Sequence, residues 1–188
     1  KHNKPLGIAD EGGLWPTSFK KNEEALELLQ ESIETAGYTP GQDLYIAVDI
    51  AASEFYDHLA NTYELRLENK VFSSAEFVDY ICSLRRKYPI ISIEDGLSEF
   101  DWTSAKILTD QLGKDTQLIG DDLFVTNISR ISAGAKQGVY NSVLIKMNQI
   151  GTVTETLETI EYAKKVGYRP VISARSGETE DITIAHLA

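Results

Sequence analysis

Charged and polar side chains end five short apolar runs of the sequence, and these are the residues that could do chemistry. They are Asp49, the pair Glu94 and Asp95, the pair Asp121 and Asp122, Lys146, and the pair Arg175 and Ser176. Three acids, Asp49, Glu94 and Asp121, follow three successive runs, and carboxylate oxygens suit a hard cation. Magnesium fits best, because it leaves coordination positions open for an oxyanionic substrate. Taken singly, each acid has a plainer interpretation as a helix cap or a solvated loop residue.

Lys146 follows the apolar run 142–145, which places its amine on the same rim as the acids. Partial burial and a nearby divalent cation both favour the neutral amine, so Lys146 is a candidate general base. A plain salt bridge to one of the acids is the alternative, and the residues alone leave both open.

Two further segments carry polar groups that suit a small anionic substrate. Arg175, Ser176 and Gly177 supply a guanidinium, a hydroxyl and backbone amides in one turn, for which phosphate is the natural ligand. Glu11 precedes a pair of glycines, which indicates either a simple turn or an acid held close to substrate.

The apolar runs alternate with amphipathic helical stretches, the pattern of βα units that build a parallel sheet. Strands are predicted at 44–49, 89–94, 117–121, 142–146 and 171–174, and an apolar piece at 6–9 is interpreted as the end of an earlier strand. The carboxyl ends of such strands carry the active site, so the charged ends should meet on one rim. Residues 51–72 break the alternation and predict an insertion above the sheet, with a short strand at 63–67.

Several residues mark where the helices begin and end. Ser73 with Glu76, and Thr152 with Glu155, predict capping boxes. A further helix should begin near Thr179. Glycines that follow helical stretches are predicted to end them in the left-handed conformation, and these are Gly37, Gly113, Gly138 and Gly167.

Composition excludes several classes of function. The 188 residues carry a net charge of -11, which argues against a nucleic-acid partner, and the basic cluster at 85–87 is explained by the end of a helix. No run approaches the length of a transmembrane helix, so we expect no membrane partner and a cytoplasmic location. The single cysteine, Cys82, is predicted to be a packed thiol rather than a nucleophile.

Six motifs in order give the chain a strong resemblance to a known family. They are Asp10-Glu11-Gly12-Gly13, Asp49 with Ala51-Ala52-Ser53-Glu54-Phe55, Ser92-Ile93-Glu94-Asp95, Gly120-Asp121-Asp122-Leu123 with Val125-Thr126-Asn127, Lys146 with Asn148-Gln149-Ile150-Gly151, and Arg175-Ser176-Gly177-Glu178-Thr179-Glu180-Asp181. With these motifs the chain resembles enolase, or phosphopyruvate hydratase, over essentially its whole length.

The resemblance implies an α/β fold, the (β/α)8 TIM-like barrel of the enolase type, here incomplete with about five to six βα units. Residues 1–188 would form the major part of the C-terminal catalytic barrel, while the N-terminal α+β domain and the last barrel segment are absent from this chain. The family also implies a homo-oligomer, a dimer or larger, for the full-length protein.

The implied activity is the reversible dehydration of 2-phospho-D-glycerate to phosphoenolpyruvate, a step of glycolysis. By resemblance, Lys146 removes the C2 proton and Glu11 protonates the departing C3 hydroxyl. Enolase-superfamily sites pair such a base with magnesium ions. The implied ligands of one ion are Asp49, Glu94 and Asp121, a second magnesium would bridge the carboxylate and the phosphate of the substrate, and the phosphate would lie against Ala174, Arg175 and Ser176.

Two departures from the family pattern affect the identity of the substrate. Ala174 stands where the family usually has histidine, and both an engineered change and an altered substrate are compatible with it. Trp15 stands where a small residue is usual, and the indole either reshapes the pocket or packs on the surface. An enolase paralogue that acts on a related phosphorylated or phosphonylated acid, such as phosphonopyruvate hydratase, is therefore an alternative. A non-catalytic protein on an enolase scaffold is a further one.

Overall fold

The structure, a computed structural model, describes residues 6–9 and 12–188. The strands are β1 Leu6–Ile8, β2 Leu14–Pro16, β3 Ile46–Asp49, β4 Tyr56–Asp57, β5 Thr62–Leu65, β6 Lys70–Ser73, β7 Ile90–Glu94, β8 Gln117–Gly120, β9 Ser142–Ile145 and β10 Arg169–Ile172. The helices are α1 Glu23–Thr35, α2 Ser74–Lys87, α3 Trp102–Leu112, α4 Ile128–Gln137, α5 Met147–Ile150, α6 Val153–Lys165 and α7 Thr183–Leu187, with short 3-10 turns at Ala52–Phe55 and Arg66–Glu68.

Five strands form one parallel sheet in the order β10-β9-β8-β7-β3. The prediction of an α/β fold built from βα units is therefore confirmed. Within the described residues the sheet is open, with β3 and β10 at its edges, as expected for an incomplete barrel. Because all five strands run the same way, their carboxyl ends lie on one rim.

The predicted strands agree with the observed ones except at the two ends of the chain. The last strand is Arg169–Ile172 rather than 171–174, and it includes Pro170, which an edge strand tolerates because one side of it makes no ladder bonds. The apolar piece at 6–9 is not the end of a parallel strand. Its residues Leu6–Ile8 pair antiparallel with Leu14–Pro16 in a separate hairpin.

The predicted insertion folds as a three-stranded antiparallel sheet of β4, β5 and β6. The strand expected at 63–67 lies at Thr62–Leu65, and the sequence reading missed its two partners. Buried Tyr63 anchors this sheet. Its ring stacks on Phe77 of α2 at 4.4 Å between centroids, and its hydroxyl donates to Asp101 and accepts from the Ser98 N–H.

The helix boundaries follow the sequence signals in most cases. The capping box of Ser73 and Glu76 is confirmed in full. At Thr152 the hydroxyl accepts the Glu155 N–H at 3.1 Å, but the Glu155 carboxylate meets that hydroxyl instead of the Thr152 N–H. The last helix begins at Thr183, four residues later than predicted, and Thr179 lies in a non-helical segment.

The glycine predictions hold at three of four positions. Gly37, Gly138 and Gly167 have left-handed φ values of +88°, +69° and +87°. Gly113 is different, since its φ is -63°. Glycine is required there by space, because a Cβ atom would lie 2.7 Å from the Thr109 carbonyl oxygen.

The hydrophobic core lies between the parallel sheet and helices α2, α3, α4 and α6. Its largest fully buried side chains include Phe77, Ile81, Ile93, Leu108, Leu118, Phe124 and Ile131. Cys82 belongs to this core, its thiol contacts Gln111 Oε1 at 3.1 Å, and burial raises the pKa of the thiol. The prediction of a packed thiol is therefore confirmed. Among the described residues, no helix combines the length and apolar character needed to cross a membrane.

Candidate active site and metal centre

The three predicted metal ligands stand at the carboxyl ends of three adjacent parallel strands. Asp49 of β3 and Glu94 of β7 are register partners, and Asp121 directly follows the last residue of β8. Lys146 likewise directly follows β9. The parallel topology therefore brings all four groups to one rim, as the sequence predicted, while their chemical roles stay predictions.

The acids on this rim disfavour one another's charges. Burial, together with the negative charges of Asp49 and Asp121, raises the pKa of Glu94 to about 7, although the positive charge of Lys146 opposes this rise. Asp49 is exposed on its open side, yet desolvation by its surroundings raises its pKa, and a hydrogen bond of 3.0 Å from the Ala51 N–H opposes this rise. Such mutual repulsion would be relieved by a cation between the carboxylates.

Asp121 has partners for both of its carboxylate oxygens. Lys146 Nζ lies 2.5 Å from Oδ2, and Gln149 Nε2 donates to Oδ1 at 2.7 Å. The two charged side chains are largely buried, with 15% of Lys146 and 12% of Asp121 exposed. The salt bridge that the sequence left open is thus present, and the role of Lys146 as a base stays a prediction.

A turn between β8 and α4 carries unusual backbone strain beside this ion pair. Val125 and Thr126 are β-branched, yet their φ values are +43° and +53°. Thr126 is fully buried, and its hydroxyl accepts the Lys146 N–H at 2.9 Å and donates to Gln149 Oε1 at 2.6 Å. Strain of this kind concentrates at functional sites. In the sequence, Val125 and Thr126 stand out only as part of a family motif, and nothing there predicts that Thr126 contacts Lys146 and Gln149.

Asp95 holds the backbone of the same rim through hydrogen bonds. It is buried with φ +39°, and its two oxygens accept the backbone N–H groups of Asp121 and Asp122 at 3.0 and 2.8 Å. Burial raises the pKa of Asp95 to about 7, and these hydrogen bonds oppose the rise. The bonds fix the position of the backbone from which Asp121 projects.

A second grouping of acids differs from the predicted triad. Asp95, Asp121 and Asp122 each have a carboxylate oxygen within 4.8 Å of the others, a spacing that could hold a metal ion. Asp121 belongs to both groups. Because both oxygens of Asp95 already accept backbone hydrogen bonds, this residue has less capacity left for a cation.

The predicted phosphate-binding residues lie on the turn after β10. Arg175 and Ser176 are exposed, and Ala174 is half-buried. Burial and Asp121 raise the pKa of Asp122, and the charges of Lys146 and Arg175 oppose that rise, so Arg175 is within electrostatic range of the acid rim. The adjacent helix α5 contacts this turn through a 2.7 Å hydrogen bond from Asn148 to Glu178.

The remaining predictions concern Glu11 and Trp15. Glu11, the predicted acid, lies outside the described residues. Trp15 is 54% exposed, and its indole covers Gly7, where a Cβ atom would collide with the ring. Of the two interpretations of Trp15, the structure shows packing on the surface of the hairpin.

A cavity of about 430 Å³ lies on the open side of β3, between α1, α2 and the inserted sheet. Its lining is mainly apolar and includes Val48, Phe77 and Ile93. Asp49 is the only member of the predicted metal triad that borders it. The cavity is therefore a feature of the open sheet edge rather than of the acid rim.

Comparison with known proteins places these residues in a family. Residues 2–188 match the family model described as the C-terminal TIM barrel domain of enolase. The chain is also 64% identical over 185 residues to the protein named Enolase 1 of Desulfitobacterium hafniense (strain Y51). That match covers 98% of this chain and 42% of the relative, so the chain spans less than half of the relative's length.

Proposed function

The chain belongs to the enolase family, and from that premise we propose that it is the catalytic barrel of a magnesium-dependent lyase that reversibly dehydrates 2-phospho-D-glycerate to phosphoenolpyruvate. The observation that carries the proposal is the meeting of Asp49, Glu94, Asp121 and Lys146 on one rim of the sheet. A proton next to a carboxylate is weakly acidic, so its removal needs positive charge where the product's negative charge develops.

The donor set fits magnesium. Asp49, Glu94 and Asp121 offer hard oxygen ligands. Burial, and after it the neighbouring negative charges, raise the pKa values of Asp49 and Glu94, and a divalent ion would offset both effects. A magnesium ion held by these residues would supply positive charge to the substrate as its own negative charge develops, and we propose that the full site binds two such ions.

The chain's own residues then divide the proton transfers. Lys146 Nζ accepts the proton from C2. For this step the side chain must leave its ion pair with Asp121 and must already have released its extra proton to solvent. Glu11 donates a proton to the hydroxyl that leaves C3, so that water departs as the double bond forms. Arg175 and Ser176, with Ala174 beside them, hold the phosphate.

The choice between the two groups of acids is tested by magnesium affinity. Asp49→Asn should weaken magnesium binding by about 10- to 100-fold or more, whereas Asp122→Asn should change it little, since only the first removes a ligand of the proposed set. Calorimetry on the full-length protein measures both. A loss in Asp122→Asn with little change in Asp49→Asn would favour the group of Asp95, Asp121 and Asp122 instead.

The activity itself is tested by an absorbance assay for phosphoenolpyruvate formation, with the full-length protein and titrated magnesium. Turnover of 2-phosphoglycerate that depends on magnesium is expected. Negligible turnover would refute the proposal.

Ala174 favours a second candidate within the same chemistry. Without the usual imidazole beside the phosphate turn, a paralogue that acts on another phosphorylated or phosphonylated acid, such as phosphonopyruvate hydratase, is the alternative. Turnover of the phosphonylated substrate in the absence of phosphoenolpyruvate formation would select it. If calorimetry on the full-length protein found no magnesium binding at all, a non-catalytic protein on the same scaffold would be the better description.

Partners and location follow from the family and from the charge. We propose a small phosphorylated acid as the ligand, a homo-oligomer of the full-length protein, and a cytoplasmic site of action. The net charge of -11 supports the absence of a nucleic-acid partner.

A further inference from the structure

We infer that Thr126 and Gln149 are positioning residues that hold Asp121 and Lys146 in fixed relation to each other. Neither side chain belongs to the residues assigned above to metal, substrate or proton transfer. The inference rests on the proposed function, because it takes Asp121 as a metal ligand and Lys146 as the base.

The contacts form one continuous path in which every donor meets an acceptor. The Lys146 N–H donates to Thr126 Oγ1 at 2.9 Å, and the Thr126 hydroxyl donates to Gln149 Oε1 at 2.6 Å. Gln149 Nε2 then donates to Asp121 Oδ1 at 2.7 Å. The ion pair between Asp121 Oδ2 and Lys146 Nζ closes the path of contacts at Lys146.

The directions of these bonds leave the side chains little freedom. An ionised carboxylate only accepts, so the amide nitrogen of Gln149 must face Asp121 and its oxygen must face Thr126. The Thr126 hydroxyl already accepts from Lys146, which leaves its proton for Gln149. Threonine and glutamine therefore suit their positions as matched donors and acceptors.

The backbone of the turn is held on both sides, which makes Thr126 a fixed reference point. The Asp121 carbonyl accepts the N–H groups of Phe124 and Val125 at 3.1 and 2.7 Å. From the other side, Thr159 of α6 contacts the Thr126 carbonyl at 3.3 Å. The turn that begins at Asp121 thus ends at the hydroxyl that Lys146 contacts.

Placing the Thr126 hydroxyl beside Lys146 requires unfavourable left-handed φ values at Val125 and Thr126. β-Branched residues avoid that region, so the surrounding structure must impose it. A turn selected only for stability would place glycine or asparagine there. The geometry points to a strained turn whose effect is to place the Thr126 hydroxyl between Lys146 and Gln149.

The experiment uses the full-length protein with Thr126→Val, which removes the hydroxyl and keeps the branched shape, and Gln149→Met, which removes the amide at similar size. Thr126→Ser restores the hydroxyl. Thr156→Val is the matched control, because Thr156 is also fully buried and its hydroxyl donates to the carbonyl of Thr152, the residue that caps the same helix.

We expect Thr126→Val and Gln149→Met each to lower kcat and magnesium affinity by about 10- to 100-fold, the usual effect of losing a residue that orients a metal ligand. The KM for substrate should stay within about twofold, because neither residue binds substrate. Thr126→Ser should recover most of both losses. Thr156→Val should match the wild type in kcat and in magnesium affinity measured by calorimetry.

The inference is overturned if Thr126→Val and Gln149→Met keep both wild-type values, or if Thr156→Val loses as much as they do. Should Thr126→Val fail to fold, the half-buried Gln149 decides the matter through its own variant. A wild-type protein that binds magnesium but does not turn over 2-phosphoglycerate would refute the proposed substrate. The effect on magnesium affinity would still decide whether the two residues position Asp121.

Discussion

The two halves of the proposed site differ in how much of their geometry the chain itself supplies. On the acid rim, Asp121 is largely buried and both of its oxygens have partners. On the turn after β10, Arg175 and Ser176 are exposed and stand at the edge of the sheet. Preorganised charge is what accelerates a reaction, whereas a residue that binds substrate is free to order on contact. We therefore expect the backbone of the rim to be in place before substrate binds, and the turn after β10 to become better ordered with the phosphate.

The strongest test of the rim is Lys146→Ala. Loss of the base should slow exchange of the substrate's C2 proton by about 10²- to 10⁴-fold and leave magnesium affinity largely intact. Deuterium exchange at C2, followed by NMR, measures the first, and calorimetry the second. Lys106→Ala is the control, because Lys106 forms an exposed ion pair with Asp110 on α3. Exchange that persists in Lys146→Ala would move the base elsewhere on the rim.

Amide hydrogen exchange compares the two halves directly. The N–H groups of Asp121 and Lys146 donate to Asp95 and Thr126, so they should exchange at least about 100-fold more slowly than those of the exposed residues Arg175 and Gly177. Adding substrate with magnesium should slow the turn and change the rim little. Equal protection in both regions without substrate would contradict the contrast.

Arg175→Ala tests the turn. Loss of a charge-assisted contact to phosphate should raise KM by about tenfold and leave the urea midpoint unchanged, since Arg175 is exposed. Arg169→Ala is a matched control from the opposite end of the same strand. A fall in stability with an unchanged KM would show that Arg175 has a structural role.

Glu94→Gln should give the smallest effect, and it depends on pH. The pKa of Glu94 in the folded protein is about 7, above the ordinary value of 4.5. Its contribution to the free energy of unfolding is therefore fully present below pH 4.5 and is lost as the pH rises through 7. Without magnesium, Glu94→Gln should therefore stabilise the protein at pH 8 by about 1 kcal/mol, a figure reduced for solvent screening, and by almost nothing at pH 4.

Urea unfolding in the presence of a chelator measures this difference. Glu161→Gln serves as the control, because the side chain of Glu161 is 77% exposed. Magnesium should reverse the order at pH 8, since it would stabilise only the protein that keeps Glu94. A difference that does not change with pH would place the cause in packing rather than in charge.

The sequence predicted the rim well because its signals are local. An apolar run that stops at a charged residue marks both a strand and its carboxyl end, as at Asp49, Glu94 and Lys146. Parallel topology then brings those ends together without further information. The last strand was placed two residues late, since Arg169 and Pro170 look like a break, and only its edge position makes Pro170 acceptable.

The positioning contacts were missed because their local signals point elsewhere. β-Branched residues such as Val125 and Thr126 favour extended conformations with negative φ, and tertiary contacts impose the opposite sign here. The carboxylate of Asp95 resembles another ligand, and only the structure shows that it accepts two backbone N–H groups. In the inserted sheet, β4 and β6 are too short to show a clear alternation of apolar and polar residues.

The buried Cys82 has a practical consequence for all of these measurements. It is the only cysteine among these 188 residues, and it lies on α2 against Gln111 of α3, away from the rim. A thiol reagent can reach Cys82 only when α2 and α3 separate. The rate at which the reagent labels Cys82 therefore measures how often these helices separate from each other. Variants of the rim that affect only the chemical step should show the wild-type rate of Cys82 labelling.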